Sequence, residues 1–378
     1  MKYFIVGAGI YGSVLARSLA EKYDNEVIVI DKRDTVGGNC ISFFDDRTGI
    51  ECHKYGSHIF HTSNETVWNF VNKFTKFTNY VHRVFTKHKN IIYSLPINLG
   101  TINQFFNKSF SPMEAREFIT REISKDAVKS PSNLEEKAIS LIGKQLYTAF
   151  IKGYTTKQWG RAPKDLSADI ITRLPVRFTY NSNYFENAWQ GLPAMGYKHF
   201  FDNLLDHPKI SLLLNTPFQS IRNNIPKDCT VIYTGNLDEL FDYKYGELEW
   251  RSLRFEWEHI DIKDFQGTPV MNYADTDEQF TRIHGFKHFH PERKSIFTSD
   301  KTIICYEFPQ DYNIGKERYY PINTDRNNIL QKKYEKELSS LGHYIPGGRL
   351  GAYKYWDMDK AVEAALSVAD TLCKTSSI

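Results

Sequence analysis

The spacing of apolar positions changes character several times along this chain, and each change marks a different kind of element. Tyr3-Phe4-Ile5-Val6 is a short continuous apolar run that stops at Gly7. Beyond it Val14, Leu15, Ser18 and Leu19 share one helical face, and a second run, Val27 to Ile30, ends at Asp31. Strand, helix and strand follow from that sequence of periods, a βαβ opening. A helix is predicted from near Ser63, carrying Val67, Trp68, Val71 and Phe74 inward. Between residues 100 and 152 the spacing is helical. Ser111-Pro112-Met113-Glu114 has the form of a capping box with proline at the first helical position. Asn133 is placed to cap a long helix with Ala138, Leu141, Ile142, Leu146, Ala149 and Phe150 on one face and Gly153 at its C-terminal end. From about 236 to 319 the period becomes two. Leu253, Phe255 and Trp257 alternate with Arg254, Glu256 and Glu258, which predicts a half-buried antiparallel sheet. The α/β style returns in two apolar runs beginning at Ile210 and Thr230, predicted as buried strands, and in a last helix with Ala361, Val362, Ala365, Leu366 and Ala369 inward. The chain shows no internal repeat or low-complexity tract, so the α/β unit is expected to be discontinuous, interrupted by helical and sheet insertions.

The opening turn carries chemistry. Gly7-x-Gly9-x-x-Gly12 lies between strand and helix, with Asp31 about twenty residues on, the spacing of a dinucleotide fingerprint. Gly7 permits a tight turn, Gly9 lets backbone approach a pyrophosphate, and Gly12 allows strand and helix to pack closely. The helix N-terminus offers unpaired N–H groups and partial positive charge to the phosphates, and Asp31 can accept a hydrogen bond from the ribose. After Asp31 the chain reads Lys32-Arg33-Asp34-Thr35-Val36-Gly37-Gly38-Asn39. This Arg-x-x-x-Gly-Gly continuation resembles FAD-binding oxidoreductases of the glutathione-reductase type more than NAD dehydrogenases. The glycine-ended run Val231 to Gly235 and Gly347-Gly348-Arg349 fit the same resemblance.

Composition narrows the class. At 378 residues the chain exceeds what one core usually supports, and 41% hydrophobic with 25% charged residues is ordinary for a globular enzyme. The 15% aromatic share is high, with 23 tyrosines and six tryptophans that can fill cores or line a pocket for a flat ligand. A net charge of +3, with Lys and Arg spread out, argues against nucleic-acid binding. Five cysteines without a CxxC pair suggest neither a disulfide framework nor a zinc site, and no metal is expected. Gly7 breaks the first apolar run too early for a signal-peptide core or membrane span, so a cytoplasmic location is expected.

Longer motifs carry a family resemblance. Lys54-Tyr55-Gly56-Ser57-His58-Ile59-Phe60-His61-Thr62, Ile151 to Gly160, Arg173-Leu174-Pro175-Val176-Arg177-Phe178, Tyr319-Tyr320-Pro321 and Tyr353-Lys354-Tyr355-Trp356-Asp357-Met358 resemble the corresponding stretches of bacterial UDP-galactopyranose mutases, from Met1 to the last helix. The resemblance implies an α/β fold: a Rossmann-like FAD-binding domain (1–75, 190–235 and 320–378) with a helical-bundle insertion (100–152) and an antiparallel β-sheet insertion (76–99, 153–189 and 236–319). It implies interconversion of UDP-galactopyranose and UDP-galactofuranose with no net redox change, through an adduct between N5 of reduced FAD and the anomeric carbon that expels UDP. It further implies an external reductant such as NAD(P)H, a homodimer, and a product destined for cell-surface glycans.

On this resemblance Arg173 and Arg282 are catalytic, stabilising the leaving diphosphate with forks that suit phosphate oxygens, and His61 is a third catalytic residue beside the flavin. His82, Phe150, Tyr154, Trp159, Tyr184, Asn272, Tyr319 and Tyr355 would line the nucleotide-sugar channel, stacking on uracil or donating hydroxyls to phosphate. Tyr11, Lys32, Gly38, Asn39, His58, Ile59, Arg349, Tyr355, Asp357 and Met358 join Gly7, Gly9, Gly12 and Asp31 around the cofactor. Asp357 can cap the last helix, whose dipole would then favour negative charge at flavin N1. The segment from Tyr154 to Arg177 is expected to act as a lid. Departures are local. His82 stands where many bacterial members carry Asn, and Asp31 replaces a frequent Glu. The absence of an Arg near His58 favours galactose over its N-acetylated analogue. A conventional FAD oxidoreductase and a non-catalytic nucleotide-sugar binder are the competing readings. Neither requires the paired arginines.

Overall fold

The computed structural model describes residues 2–171 and 176–375. A five-stranded parallel sheet organises the α/β unit, in the order Tyr344–Pro346, Thr230–Tyr233, Lys2–Val6, Glu26–Ile30, Ile210–Leu213. The first strand, buried from Tyr3 to Val6, pairs on both edges, which is why it reads as an uninterrupted apolar run. Helices Ile10–Tyr23, Gly196–Leu205 and Met358–Thr375 cover one face, their packing centred on Val14, Leu15, Leu19, Phe201 and Val362. Helix Asp325–Ser340 covers the other through Leu330, Tyr334 and Leu338, against Phe4, Val231 and Tyr233. The Ile210–Leu213 strand is an exposed edge rather than the buried strand its composition suggests: Leu212 and Leu213 face solvent because only Glu26–Ile30 pairs with it.

A second sheet of seven strands runs Tyr320–Pro321, Trp250–Ile260, Thr302–Asp311, Arg282–His284, Val270–Tyr273, Val84–His88, Ile91–Leu95. Its pairings are antiparallel except that Val270–Tyr273 lies parallel to Val84–His88. The chain leaves the sheet after the edge strand Ile91–Leu95 and re-enters it at Trp250–Ile260, near the opposite end, before Val270–Tyr273 pairs with the inner side of Val84–His88.

The helical layer comprises Leu99–Phe106, Pro112–Asp126 and Leu134–Ile142, with the Ser111–Glu114 capping box formed and the Asn133 side chain accepting from the Glu136 N–H. The long helix predicted from Asn133 to Gly153 is interrupted. Gly143, at φ +79°, ends the first part, and after Lys144–Leu146 the chain widens into a π-helix over Tyr147–Lys152. Gly153 is not its end but the first residue of Gly153–Trp159, which stops at Gly160 in the left-handed region. Gly153 is required by contact: a Cβ there would lie 2.4 Å from the Ala274 carbonyl oxygen, where this helix crosses the second sheet. Among the described residues no helix is long and apolar enough to cross a membrane, and no group of three His, Cys, Asp or Glu is placed to hold a metal.

Candidate active site

One cleft of about 1770 Å³ runs from the sheet's carboxyl edge to the second sheet and the helical layer. It is larger than a single small-molecule pocket needs, and it has two compartments. At the α/β end the glycines differ in what they exclude. A Cβ on Gly7, at φ +111°, would fall 2.1 Å from Thr234 Oγ1, and one on Gly12 would fall 2.0 Å from the Gly7 carbonyl oxygen. Protein contacts explain both. A Cβ on Gly9 would meet only the Gly38 Cα, at 3.9 Å. Nothing in the fold requires that glycine, so its bare backbone serves whatever lies in the cleft. Gly38, at φ +57°, backs onto Gly9, and the two turns make a floor without side chains at the N-terminus of the fourteen-residue helix Ile10–Tyr23. Asp31 is held at the floor's edge by the N–H groups of Ala8 (2.8 Å) and Arg33 (2.9 Å), leaving acceptor capacity for a ribose hydroxyl. Arg33 lies 4.6 Å over the Tyr55 ring, pairs with Glu317 at 3.0 Å and donates to Asn39. This end fits an adenosine diphosphate moiety.

The loop from Gly56 to His61 separates the compartments. The His58 backbone N–H donates to His53 Nδ1 (3.0 Å), the Tyr197 hydroxyl donates to the His58 carbonyl (2.9 Å), and His58 Nδ1 lies 2.7 Å from the Gly56 carbonyl. His61 stacks on Phe185 at 3.7 Å between centroids, and its Nδ1 lies 3.0 Å from Asn187 Oδ1. His82 stacks on the same Phe185 from 5.7 Å, and its Nδ1 faces the Tyr80 hydroxyl at 2.9 Å. Burial pushes the pKa of His82 down to about 3 and that of His58 down to about 4, so both imidazoles are neutral at physiological pH.

Across the cleft lies Arg282, at the start of the strand Arg282–His284. Its cross-strand neighbour is Glu307, and Arg282 Nε and Glu307 Oε1 form an ion pair at 3.2 Å. An Arg282 terminal nitrogen donates to the Tyr154 hydroxyl from the helix Gly153–Trp159. Burial alone would raise the Glu307 pKa, but the charge of Arg282 and the hydrogen bond from His284 outweigh it and hold the carboxylate ionised. Burial raises the Tyr154 hydroxyl to about 12, keeping it a donor. Asn272, paired across the strands with Arg282, has its buried Oδ1 without a partner among the described residues and lines the cleft. Tyr320 packs between Trp159 (6.3 Å) and Tyr355 (5.6 Å) at the mouth, where Tyr355 is 58% exposed and Tyr184 is 41% exposed. These are open aromatic faces beside a fixed cation, suited to a base joined to a diphosphate.

The structure brings every residue singled out from sequence to this cleft except Arg173, which lies outside the described residues. Phe150 reaches it from the helical core, where it packs on Tyr93 and Phe105. Asp357 stands immediately before the helix Met358–Thr375, its carbonyl accepts from the Ala361 N–H, and Asp357 and Met358 both line the cleft. Tyr319 is buried against Phe255, so its neighbour Tyr320 presents the more accessible ring. Sequence reading missed Glu307, His284, Ser57, Phe185 and Asn187. Glu307 left a trace, as an ionisable residue two places from Cys305 on the inward register of a strand. Phe185 and Asn187 sit in irregular chain where no period exists to mark them.

Fold and site together define a dinucleotide-binding α/β protein whose cofactor trough opens into a nucleotide-sized chamber walled by aromatics and the Arg282–Glu307 pair. The model of the family described as GLF, UDP-galactopyranose mutase, matches residues 149–355, and that of an NAD(P)-binding Rossmann-like domain matches residues 5–74. A Klebsiella pneumoniae protein named "Probable UDP-galactopyranose mutase" is 43% identical, with 97% of this chain and 93% of that protein covered. An Escherichia coli dTDP-fucopyranose mutase is 39% identical over 99% of both chains. The Mycoplasma pneumoniae UDP-galactopyranose mutase is 33% identical over 98% of this chain and 96% of its own. The crystal structure of a reduced UDP-galactopyranose mutase superposes with a TM-score of 0.77 at 15% identity, covering 100% of this chain and 94% of that one, which speaks for the fold. The chain belongs to the UDP-galactopyranose mutase family, a family of mutase-type isomerases.

Proposed function

We propose that this protein interconverts UDP-galactopyranose and UDP-galactofuranose, with reduced FAD as its cofactor. The observation that carries the reading is the Arg282–Glu307–Tyr154 arrangement facing a chamber continuous with the dinucleotide floor. A glycosyl phosphate is cleaved most readily where a fixed cation meets the leaving diphosphate, and here the guanidinium is oriented before substrate arrives. Bound and reduced, FAD would supply a nucleophile, its N5, to the anomeric carbon and recover it unchanged in oxidation state. Gly9, Gly38 and Asp31 would hold the cofactor's pyrophosphate and ribose, with His58, Ile59 and Asp357 beside its ring system. Arg282 and Tyr154 would bind the diphosphate, joined by Arg173. Asn272 Oδ1 would accept from a sugar hydroxyl, and Tyr320, Trp159, Tyr184 and Tyr355 would enclose the uridine. The reading includes reduction by an external donor such as NAD(P)H, a homodimer in the cytoplasm, and a furanose product for surface glycans.

The similarity to dTDP-fucopyranose mutase, which spans both chains, favours a second reading with a different base and a 6-deoxy sugar. Chromatography of reduced protein with UDP-galactofuranose and with dTDP-fucofuranose separates them. A kcat/KM at least tenfold higher for the UDP sugar supports the first reading, and the reverse preference replaces it.

A further inference from the structure

Behind Arg282 the hydrogen bonds continue to the cofactor loop. His284 is fully buried, with Nε2 3.0 Å from Glu307 Oε2 and Nδ1 2.6 Å from the Ser57 hydroxyl. Each proton in this chain can be assigned. Glu307 is ionised beside Arg282 and can only accept, so His284 Nε2 carries the hydrogen. Burial keeps His284 neutral, opposing the pull of Glu307, so its Nδ1 is an acceptor and Ser57 must donate. Ser57 stands between Gly56 and His58 on the loop that separates the two compartments. The loop is tight against this chain of contacts: Gly56 has φ +90°, and a Cβ there would lie 3.4 Å from Glu307 Oε2.

We propose that Ser57 and His284 are positioning residues for Arg282: the Ser57 hydroxyl anchors the His284 ring, His284 fixes the Glu307 carboxylate, and Glu307 sets the guanidinium toward the diphosphate. This rests on the reading of Arg282 as the diphosphate ligand. Without the Ser57 donor, the buried Nδ1 loses its partner. The imidazole keeps its Nε2 hydrogen on Glu307 but loses the bond that fixes its other edge, so the ring can tilt and the carboxylate can shift with it. The arrangement joins the cofactor loop to the substrate cation through four side chains.

The test uses holoenzyme with 15N-labelled histidine, together with UDP titration by calorimetry. The Nε2–H signal of His284, assigned by its loss in His284→Gln, is expected in wild type and in Ser57→Thr. It should shift in Ser57→Ala, because Nδ1 loses its donor and the ring its anchor. Ser57→Ala should bind UDP about five- to tenfold more weakly, the size of one buried hydrogen bond, and Ser57→Thr should recover the affinity. An unchanged His284 signal in Ser57→Ala overturns the proposal, as does a changed signal with wild-type UDP affinity. Arg282→Ala is the separate control. If it binds UDP like wild type, the diphosphate role of Arg282 fails, while the histidine measurement, which needs no substrate, still reads the relay.

Discussion

Replacing Gly9 by alanine should remove the cofactor and leave the fold. Gly9 precedes the helix Ile10–Tyr23 at φ −76° and ψ −177°, a conformation any residue adopts, and its added Cβ would meet only Gly38 Cα at 3.9 Å, an ordinary contact. Two small effects oppose each other. Restricting the unfolded chain stabilises by about 0.4–1 kcal/mol, and alanine at a helix N-cap costs about 0.5–1 kcal/mol relative to a better cap. The cofactor-free variant should therefore melt within about 3 °C of wild type. The methyl group would project into the space that phosphates must occupy, and a clash worth about 1.4–3 kcal/mol lowers affinity by roughly ten- to a hundredfold or more. Gly12→Ala is the contrast, because its Cβ falls 2.0 Å from a backbone oxygen and should cost at least about 2–3 kcal/mol of stability. Flavin released per mole of purified protein and calorimetric melting of the cofactor-free forms measure both quantities. Full FAD content in Gly9→Ala, or a fall of many degrees in its melting temperature, would refute the reasoning.

Other outcomes follow from particular contacts. Arg282→Ala should lower kcat/KM by about a hundredfold or more while flavin content stays near wild type, and an activity within a few-fold of wild type would remove its role. Asp238, fully buried, accepts twice from Arg318 (2.7 and 2.9 Å) and also from the Glu239 and Leu248 N–H groups. Asp238→Ala strands that guanidinium and should cost about 3–5 kcal/mol in urea unfolding, with a loss under about 1 kcal/mol counting against the pair. His53 and His82, buried and both lowered from about 6.5 to about 3, bind fewer protons folded than unfolded in that window. Their stabilising effect is full above pH 6.5 and is lost as pH falls toward 3, about 3 kcal/mol for the two together between pH 7.5 and 5.5. Urea titrations of cofactor-free protein at those two pH values should show the decline, and equal stability would contradict it.

Legibility in the sequence tracks how local each feature is. The dinucleotide turn was readable because glycine spacing, helix start and Asp31 all fall within one βαβ unit. The Ser111–Glu114 box was readable for the same reason. The break at Gly143 was not, because helical spacing continues through it and only the packing of Glu122 beside Gly143 shows why the turn is needed. The exposed Ile210–Leu213 strand misled because β-branched and leucine content does not distinguish an edge from a centre. In the site, family motifs pointed to Arg282 and Tyr154, whereas Glu307 and His284 depend on the register of two strands separated in sequence. Ser57 depends further on where a loop folds back. Those partners exist only after the second sheet assembles.

The central claim is catalysis that uses a reduced flavin without consuming reducing equivalents. The direct measurement is anaerobic conversion of UDP-galactofuranose by purified protein, followed by chromatography with and without dithionite, with flavin absorbance recorded throughout. The account predicts many turnovers per flavin in the reduced protein, none in the oxidised protein, and a flavin still reduced at the end. Absence of conversion in the reduced protein, or one flavin oxidised for each product formed, would contradict it.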